Sequence, residues 1–215
     1  MRKTFLVLAL IFCGLWAAPE ATAGPVYCAA VSGNLVTNCG FETGDFTGWT
    51  VGGNSLNPGS NYFGVDAFDA NSGNYGAYMS QDFIDGGTTP VTLSQTLATV
   101  AGGAYAVTFW LEQDTAPTPG YAHVFSAAFG GTTLLTLTPT VVSPGPVGVF
   151  TQYTIDVMAT TSSSVLKFSF ENDDQYWSFD DVSVSTVPEP STGMLAGLAI
   201  GGLLLLRRKT VMSWK

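Results

Sequence analysis

Strict alternation of apolar and polar side chains runs through several segments of this chain. In residues 107–112, apolar side chains alternate with Thr108, Trp110 and Glu112, and residues 166–171 repeat the pattern. A side-chain period of two indicates a β-strand with one buried face, whereas no segment has the periodicity and caps of a helix. The same criteria predict further strands at 75–80, 91–98, 121–129, 132–138, 149–157 and 177–186.

Clusters of Gly, Pro, Asn and Asp separate these segments, as expected for turns between short strands. Residues 24–186 are long enough for one domain with one hydrophobic core. Short strands, frequent turns and many aromatic residues favour an all-β domain, a two-sheet β-sandwich of the jelly-roll type. Segment 69–73 lacks the closing Glu of an EF-hand, which would fall at Ser80, and is interpreted as a turn.

Acidic residues outnumber basic ones: the chain has 16 Asp and Glu, 7 Lys and Arg, and a formal net charge of −9. Lys167 is the only basic residue between positions 24 and 187. Such a surface repels phosphate backbones, so nucleic-acid binding is excluded. The chain has one histidine, His123, and no Gly-x-Ser-x-Gly, His-Glu-x-x-His or Walker motif, which argues against a hydrolase.

The N-terminal segment 1–23 has the three parts of a secretory signal peptide: two basic residues, an apolar run and a small-residue pattern ending at Ala23. We expect signal peptidase to cleave after Ala23; the alternative is a retained membrane anchor. The two cysteines that remain, Cys28 and Cys39, would then lie in an oxidising compartment. A disulfide between them is expected there.

The C-terminal segment places a helix breaker, an apolar stretch and a basic cluster in that order. The apolar stretch, 191–206, predicts a hydrophobic helix somewhat shorter than the roughly 20 residues that span a bilayer. The basic cluster at 207–209 is expected to stay in the cytoplasm, which places the domain outside the inner membrane. Residues 210–215 form a short tail.

Residues 187–209 resemble the PEP-CTERM sorting signal of Gram-negative bacteria. The motif begins with Pro188, Glu189 and Pro190 and ends with the basic stop Arg207, Arg208 and Lys209. The resemblance implies recognition and processing by an exosortase, a transient anchor in the inner membrane, and a final place at the cell surface or in the extracellular matrix. Proteins of this kind usually accompany exopolysaccharide production.

The two ends of the domain resemble the first and last strands of galactose-binding-like jelly rolls, a group that includes many carbohydrate-binding modules. Segment 34–50 contains Gly-Phe-Glu, and segment 179–184 reads Phe-Asp-Asp-Val-Ser-Val. The resemblance implies a structural Ca²⁺ that joins the two ends, held by Glu42 with Asp180 or Asp181. Carboxylate oxygens are hard ligands of the kind Ca²⁺ prefers. The alternative is that these acids lie in solvated turns.

Sugar binding requires aromatic side chains that stack on a pyranose ring, with amides or carboxylates nearby for its hydroxyls. Trp110 lies opposite the apolar stripe of its strand, and Tyr176 and Trp177 follow the polar residues 172–175. These three are the main candidates for ligand contact, and Tyr62, Tyr121 and His123 are weaker ones. The alternative is that each ring fills the core, as most aromatic residues of a sandwich do.

These features predict an exported, non-catalytic module that binds polysaccharide, with the producer's own extracellular matrix as its ligand. One alternative is a passive structural or adhesion protein without a defined ligand pocket. A glycoside-cleaving enzyme would need two carboxylates, for which Glu112 with Asp114, or Glu171 with Asp173, are available. An ice-binding protein would need a flat Thr-x-Thr repeat, which the sequence lacks.

Overall fold

The computed structural model describes residues 28–53, 63–80, 89–114, 123–138, 148–172 and 175–187. Within these ranges the chain forms a short 3-10 helix (Cys28–Ala30) and ten β-strands. The strands are β1 (Thr50–Gly52), β2 (Phe63–Asp66), β3 (Gly76–Met79), β4 (Val91–Ala98), β5 (Ala104–Gln113), β6 (His123–Phe129), β7 (Thr132–Leu137), β8 (Thr151–Met158), β9 (Ser163–Asn172) and β10 (Trp177–Thr186).

The strands form two antiparallel sheets of five strands each. The first sheet has the order β1-β4-β9-β6-β7, and the second has the order β2-β3-β10-β5-β8. Consecutive strands often lie in different sheets: β5 and β6 do, and so do β9 and β10. The chain therefore crosses repeatedly between the two layers, and the predicted all-β, two-sheet β-sandwich is confirmed.

Aromatic side chains from both sheets form the core between them. On β5 the apolar side chains are buried and the alternate positions are half-buried, as the sequence pattern predicts. The ring centroid of Phe109 in the second sheet lies 5.4 Å from that of Phe125 in the first. The rings of Phe168 and Phe179 are 4.6 Å apart across the same interface. Stacked and tilted aromatic pairs of this kind stabilise the contact between the sheets.

The six further strands predicted from the sequence agree with the structure to within two residues, and segments 107–112 and 166–171 form the centres of β5 and β9. The sequence does not predict β1 and β2. These strands have three and four residues, and each contains a glycine. Such short segments do not establish an alternating pattern, so only pairing with a neighbouring strand defines them.

Several predictions concern residues outside the described ranges. They are the signal peptide 1–23, the sorting motif from Pro188 onward with its helix 191–206, the tail 210–215, and the side chains of Tyr62, Tyr121 and Asp173. Across the ranges that the structure describes, no helix has the length and apolar character needed to cross a bilayer.

The predicted disulfide between Cys28 and Cys39 is confirmed, with an S–S distance of 2.03 Å and a Cα–Cα distance of 6.0 Å. The backbone N–H of Cys28 also donates to Asp181 Oδ1 on β10, at 3.0 Å. Nearby, the backbone N–H of Leu35 donates to the carbonyl oxygen of Val184 at 2.9 Å. The disulfide and these hydrogen bonds join the first described residues to the last strand.

A β-bulge interrupts the pairing of β10 with β5. Asp181 and Val182 together oppose the single residue Phe109, and Asp181 adopts a positive φ of 50°. Asp tolerates this left-handed conformation better than most residues do. Because the extra residue shifts the alternation, Asp180 and Asp181 both accept hydrogen bonds from Asn71, while Val182 stays in the core.

Candidate functional site

A cavity of 270 Å³ opens on the outer face of the second sheet, the face that points away from the core. Its lining residues, which define what we call the outer-face cavity, are Asp66, Asp69, Tyr78, Asp114 and Tyr176. Asp66 ends β2 and Tyr78 lies on β3. Asp114 directly follows β5, and Tyr176 directly precedes β10. Four strands of the second sheet therefore position the cavity.

Ser178 lies between two acidic side chains of the cavity. It is the second residue of β10, and both of its neighbours, Trp177 and Phe179, are buried in the core, so its own side chain points outward. Its hydroxyl donates to Asp69 and also lies 3.0 Å from Asp114 Oδ1. A hydroxyl has one hydrogen, so both contacts are hydrogen bonds only when one of the two carboxyl groups carries a proton.

Burial and mutual repulsion favour the protonated form of these acids. The pKa of Asp69 is raised to about 7, mainly by burial and to a smaller extent by Asp66 and the charge of Asp114, against the lowering effect of its hydrogen bond with Ser178. The pKa of Asp114 is also raised, first by burial and then by the charge of Asp66. Burial and the charge of Asp114 raise the pKa of the neighbouring Glu112. These carboxyl groups therefore keep their protons to a higher pH than free aspartates do, and a positively charged group placed among them would favour their ionised forms.

An exposed aromatic residue, Phe68, lies in the loop that supplies acids to the cavity, although it is not one of the lining residues. Phe68 is 97% exposed, and it lies in the loop 67–75 between the lining residues Asp66 and Asp69. Asp66 Oδ1 accepts the backbone N–H of Phe68 at 2.8 Å and that of Asp69 at 3.2 Å, which holds the start of the loop. A single exposed apolar side chain is common on protein surfaces, so Phe68 is of interest because its loop also supplies two of the lining acids.

Two tyrosine rings form one wall of the cavity. The rings of Tyr78 and Tyr176 meet edge to face, with centroids 5.6 Å apart and an interplanar angle of 84°. Tyr78 lies over Gly64 of β2, where a Cβ atom would overlap its phenol ring. Tyr176 is one of the residues that the sequence nominates for ligand contact, and the structure places it in the cavity.

The other nominated aromatic residues lie elsewhere. The expectation that Trp177 offers a stacking surface is wrong, because its ring is 1% exposed, packs on Phe125, and donates its indole N–H to the carbonyl oxygen of Glu171 at 3.3 Å. His123 is likewise buried, on the core-facing side of β6. Trp110 is half-buried on the same outer face as the cavity but does not line it.

Sequence reasoning misses four residues here: the lining residues Asp66, Asp69 and Tyr78, and Phe68 in the adjacent loop. Segment 69–73 does belong to a loop, as expected, but its first residue lines the cavity. The available signal is the pattern Asp-x-Phe-Asp, in which an aromatic ring stands between two acids before a turn. Glu112 and Asp114, considered for glycoside cleavage, lie beside or in the cavity, whereas Glu171 lies on β9 of the first sheet.

The three acids nominated for calcium form two hydrogen-bonded groups around the loop 67–75. Asp180 Oδ2 accepts the backbone N–H groups of Asn71 and Ser72 at 2.9 and 3.1 Å. Asp181 Oδ2 accepts from the side-chain amide of Asn71 at 2.8 Å. Glu42 Oε1 accepts the backbone N–H of Asn74 at 2.7 Å. Their carboxylates therefore fix the loop that carries Phe68 and Asp69.

Asp180 and Asp181 fit a cation better than Glu42 does. Both aspartates are buried, and the Oδ1 atoms of both lie close to Gly40. Burial, followed by the charge of Asp181, raises the pKa of Asp180 to about 8. A cation at this place would stabilise the charged form of Asp180 beside its neighbouring carboxyl group. Among the described residues, however, no group of three or more His, Cys, Asp or Glu is placed to hold a metal.

Comparison with known proteins adds two kinds of similarity. A family model of the PEP-CTERM protein-sorting motif matches residues 186–209. A motif of this kind indicates a secreted protein that is sorted to the surface of a Gram-negative cell. Comparison with curated proteins gives no match.

Solved structures resemble the domain. TmCBM61, solved in complex with beta-1,4-galactotriose, is 21% identical with a TM-score of 0.51, and the match covers 73% of this chain and 100% of that one. The K1 cleaved adhesin domain of Lys-gingipain from Porphyromonas gingivalis W83 is 19% identical with a TM-score of 0.50, covering 69% of this chain and 96% of that one. At such identities the likeness shows the fold alone. The chain thus carries a PEP-CTERM sorting motif, and its domain has the jelly-roll fold of carbohydrate-binding modules.

Proposed function

We propose that the protein is an exported, exosortase-sorted surface or matrix protein whose β-sandwich binds polysaccharide without cleaving it. The outer-face cavity is the binding site. Phe68, Tyr78 and Tyr176 stack on sugar rings, and Asp66, Asp69 and Asp114 accept hydrogen bonds from sugar hydroxyls. The producer's extracellular polysaccharide is the ligand to test first, because the sorting motif sends the protein to the place where that polymer lies.

The exposure of Phe68 carries this proposal. A ring that is 97% exposed contributes almost nothing to the stability of the fold, because its surface stays in water. The hydrogen bond from its backbone N–H to Asp66 nevertheless holds Phe68 in the loop between two acids of a cavity that two tyrosine rings line. Aromatic rings next to hydrogen-bond acceptors are the combination that recognises a pyranose, which has an apolar face and a rim of hydroxyls.

A glycan array and a polysaccharide pull-down test the proposal, using protein purified from cells that express the full chain. Phe68→Ala is expected to reduce retention on the bound polysaccharide by about tenfold, as for the loss of one well-placed aromatic contact. Met158→Ala is the matched control, since Met158 is also exposed on the outer face of the second sheet, at the far end of β8. If no glycan binds while circular dichroism shows native folding, the passive structural role is favoured instead.

The proposed location has its own test. We expect the intact mass of the surface or medium form to lack residues 1–23 and everything beyond about Pro190, as signal peptidase and exosortase processing require. A form confined to the inner membrane with its complete tail would contradict sorting to the matrix. Such a form would instead be a periplasmic domain anchored in the inner membrane.

We also propose a structural Ca²⁺ at Asp180 and Asp181, with backbone carbonyl oxygens completing its ligands. A bound Ca²⁺ would supply positive charge to two buried carboxylates and would thereby hold the first and last segments of the domain together. Asp180 already holds the loop 67–75, because its carboxylate accepts hydrogen bonds from the backbone N–H groups of Asn71 and Ser72.

A further inference from the structure

The charge of the outer-face cavity restricts which polysaccharide can enter it. Its polar lining consists of three aspartates and two tyrosines, and Ser178 beneath them contributes only a hydroxyl. Among the residues that the structure describes, no basic side chain lines the cavity. Lys167, the one basic residue of the described ranges, lies on β9 of the other sheet, opposite Ser94 and Ala128.

The carboxylates of this cavity disfavour an anionic polysaccharide. A uronic acid or a sulfated sugar would bring a negative charge next to Asp66, Asp69 and Asp114, which already repel one another in a partly buried position. A neutral sugar would form hydrogen bonds there but would bring no positive charge. A positively charged sugar would offset the charge of the carboxylates and would form charge-assisted hydrogen bonds with them.

The aromatic rings of the site favour the same class of ligand, independently of the acids. Tyr78 and Tyr176 line the cavity, and Phe68 is exposed in the loop between two of its acids. The negative face of an aromatic ring attracts an ammonium group. The same face also stacks on the apolar face of a pyranose. An amino sugar with a free amine offers both features on one ring.

We propose that the outer-face cavity selects polysaccharides that contain de-N-acetylated amino sugars, whose ammonium groups bind among Asp66, Asp69 and Asp114. This inference rests on the proposed function, because it names the ligand class of the same site. N-acetylation removes the charge and leaves the sugar ring unchanged, so the two forms of one oligomer make a matched pair of ligands.

Isothermal titration calorimetry on the protein from cells that express the full chain tests the proposal. The probes are β-1,4- and β-1,6-linked glucosamine hexamers and their fully N-acetylated counterparts. We expect a free-amine hexamer of at least one linkage to bind at least about tenfold more tightly than its N-acetylated form, with the difference shrinking at high salt. Asp69→Asn and Asp114→Asn should each weaken the binding of that free-amine hexamer by about tenfold. N-acetylated hexamers should respond less to both changes.

Asp156→Asn is the matched control, since it removes the same charge from an exposed position on β8, on the outer face of the same sheet. An equal loss of affinity in Asp156→Asn would overturn the proposal, because the attraction would then come from the net charge and not from the cavity. Equal affinity for both forms of the hexamers, or tighter binding of a neutral polysaccharide, would also overturn it while leaving polysaccharide binding intact. Absence of binding to all glycans would overturn both the selectivity and the proposed function.

Discussion

The phenol ring of Tyr78 occupies the space above Gly64 on the neighbouring strand, where any side chain would overlap it. Replacing Gly64 with Ala should therefore displace the Tyr78 ring from the wall of the outer-face cavity. We expect Gly64→Ala to weaken polysaccharide retention by about tenfold, because the pair formed with Tyr176 is lost along with one stacking surface.

Gly52→Ala is the control for this prediction. Gly52 also lies on a strand, but in the first sheet, and a Cβ atom there would meet only the hydroxyl of Thr92 at 3.0 Å. Polysaccharide pull-down compares retention by the two variants, and urea unfolding confirms that each is folded. Only Gly64→Ala should lose retention. Equal retention by Gly64→Ala and the wild type would show that Tyr78 does not contact the ligand.

The disulfide should make a large contribution to the stability of the domain. Changing both Cys28 and Cys39 to Ala is expected to lower the free energy of unfolding by about 2–4 kcal/mol, since the crosslink restricts the unfolded chain. The same change should loosen the hydrogen bond between the backbone N–H of Cys28 and Asp181. Urea denaturation measures the difference. Unfolding of the variant and the wild type at the same urea concentration would contradict the prediction.

Stability should fall as the pH rises from about 4 to 8 in calcium-free buffer. Burial and the charge of Asp181 raise the pKa of Asp180 from its ordinary 3.8 to about 8. Between these values the folded protein keeps a proton that the unfolded chain has released, so each step up in pH favours unfolding. Asp69, with a pKa of about 7, acts in the same direction. Urea denaturation across this range, together with carboxyl-carbon NMR titration of Asp180, checks the sign; stability that rises with pH would contradict it.

Calcium should offset the loss of stability at higher pH. A metal ion replaces the proton on Asp180, and metal binding strengthens as carboxyl groups lose their protons. We therefore expect Ca²⁺ to raise the melting temperature of chelator-treated protein more at pH 8 than at pH 5. Asp181→Ala should abolish the increase, whereas Asp156→Asn, which alters an exposed acid on β8, should retain it. An unchanged melting temperature at both pH values would rule out the calcium site.

The sequence predicts the fold well because the relevant signals are local. Alternation with a period of two identifies β3 to β10 from consecutive residues alone, and the pair Cys28 and Cys39 predicts a disulfide between them. The signal is lost where a strand is too short to alternate, as in β1 and β2. It also fails at Trp177, which follows a polar segment in sequence but begins β10 on its core-facing side.

The candidate site could not be derived in this way. Its acids and rings come from four strands, and the contact between Asp69 and Ser178 joins residues 109 positions apart. Periodicity assigns side chains to one face or the other of each strand, but it does not say which strands are neighbours or in what register. The apolar pattern and the sorting motif thus follow from the sequence by itself. Only the pairing of β2, β3, β10 and β5 decides that Asp66, Asp69 and Asp114 share one cavity with Tyr78 and Tyr176, because that pairing depends on long-range packing of the two sheets around a common core.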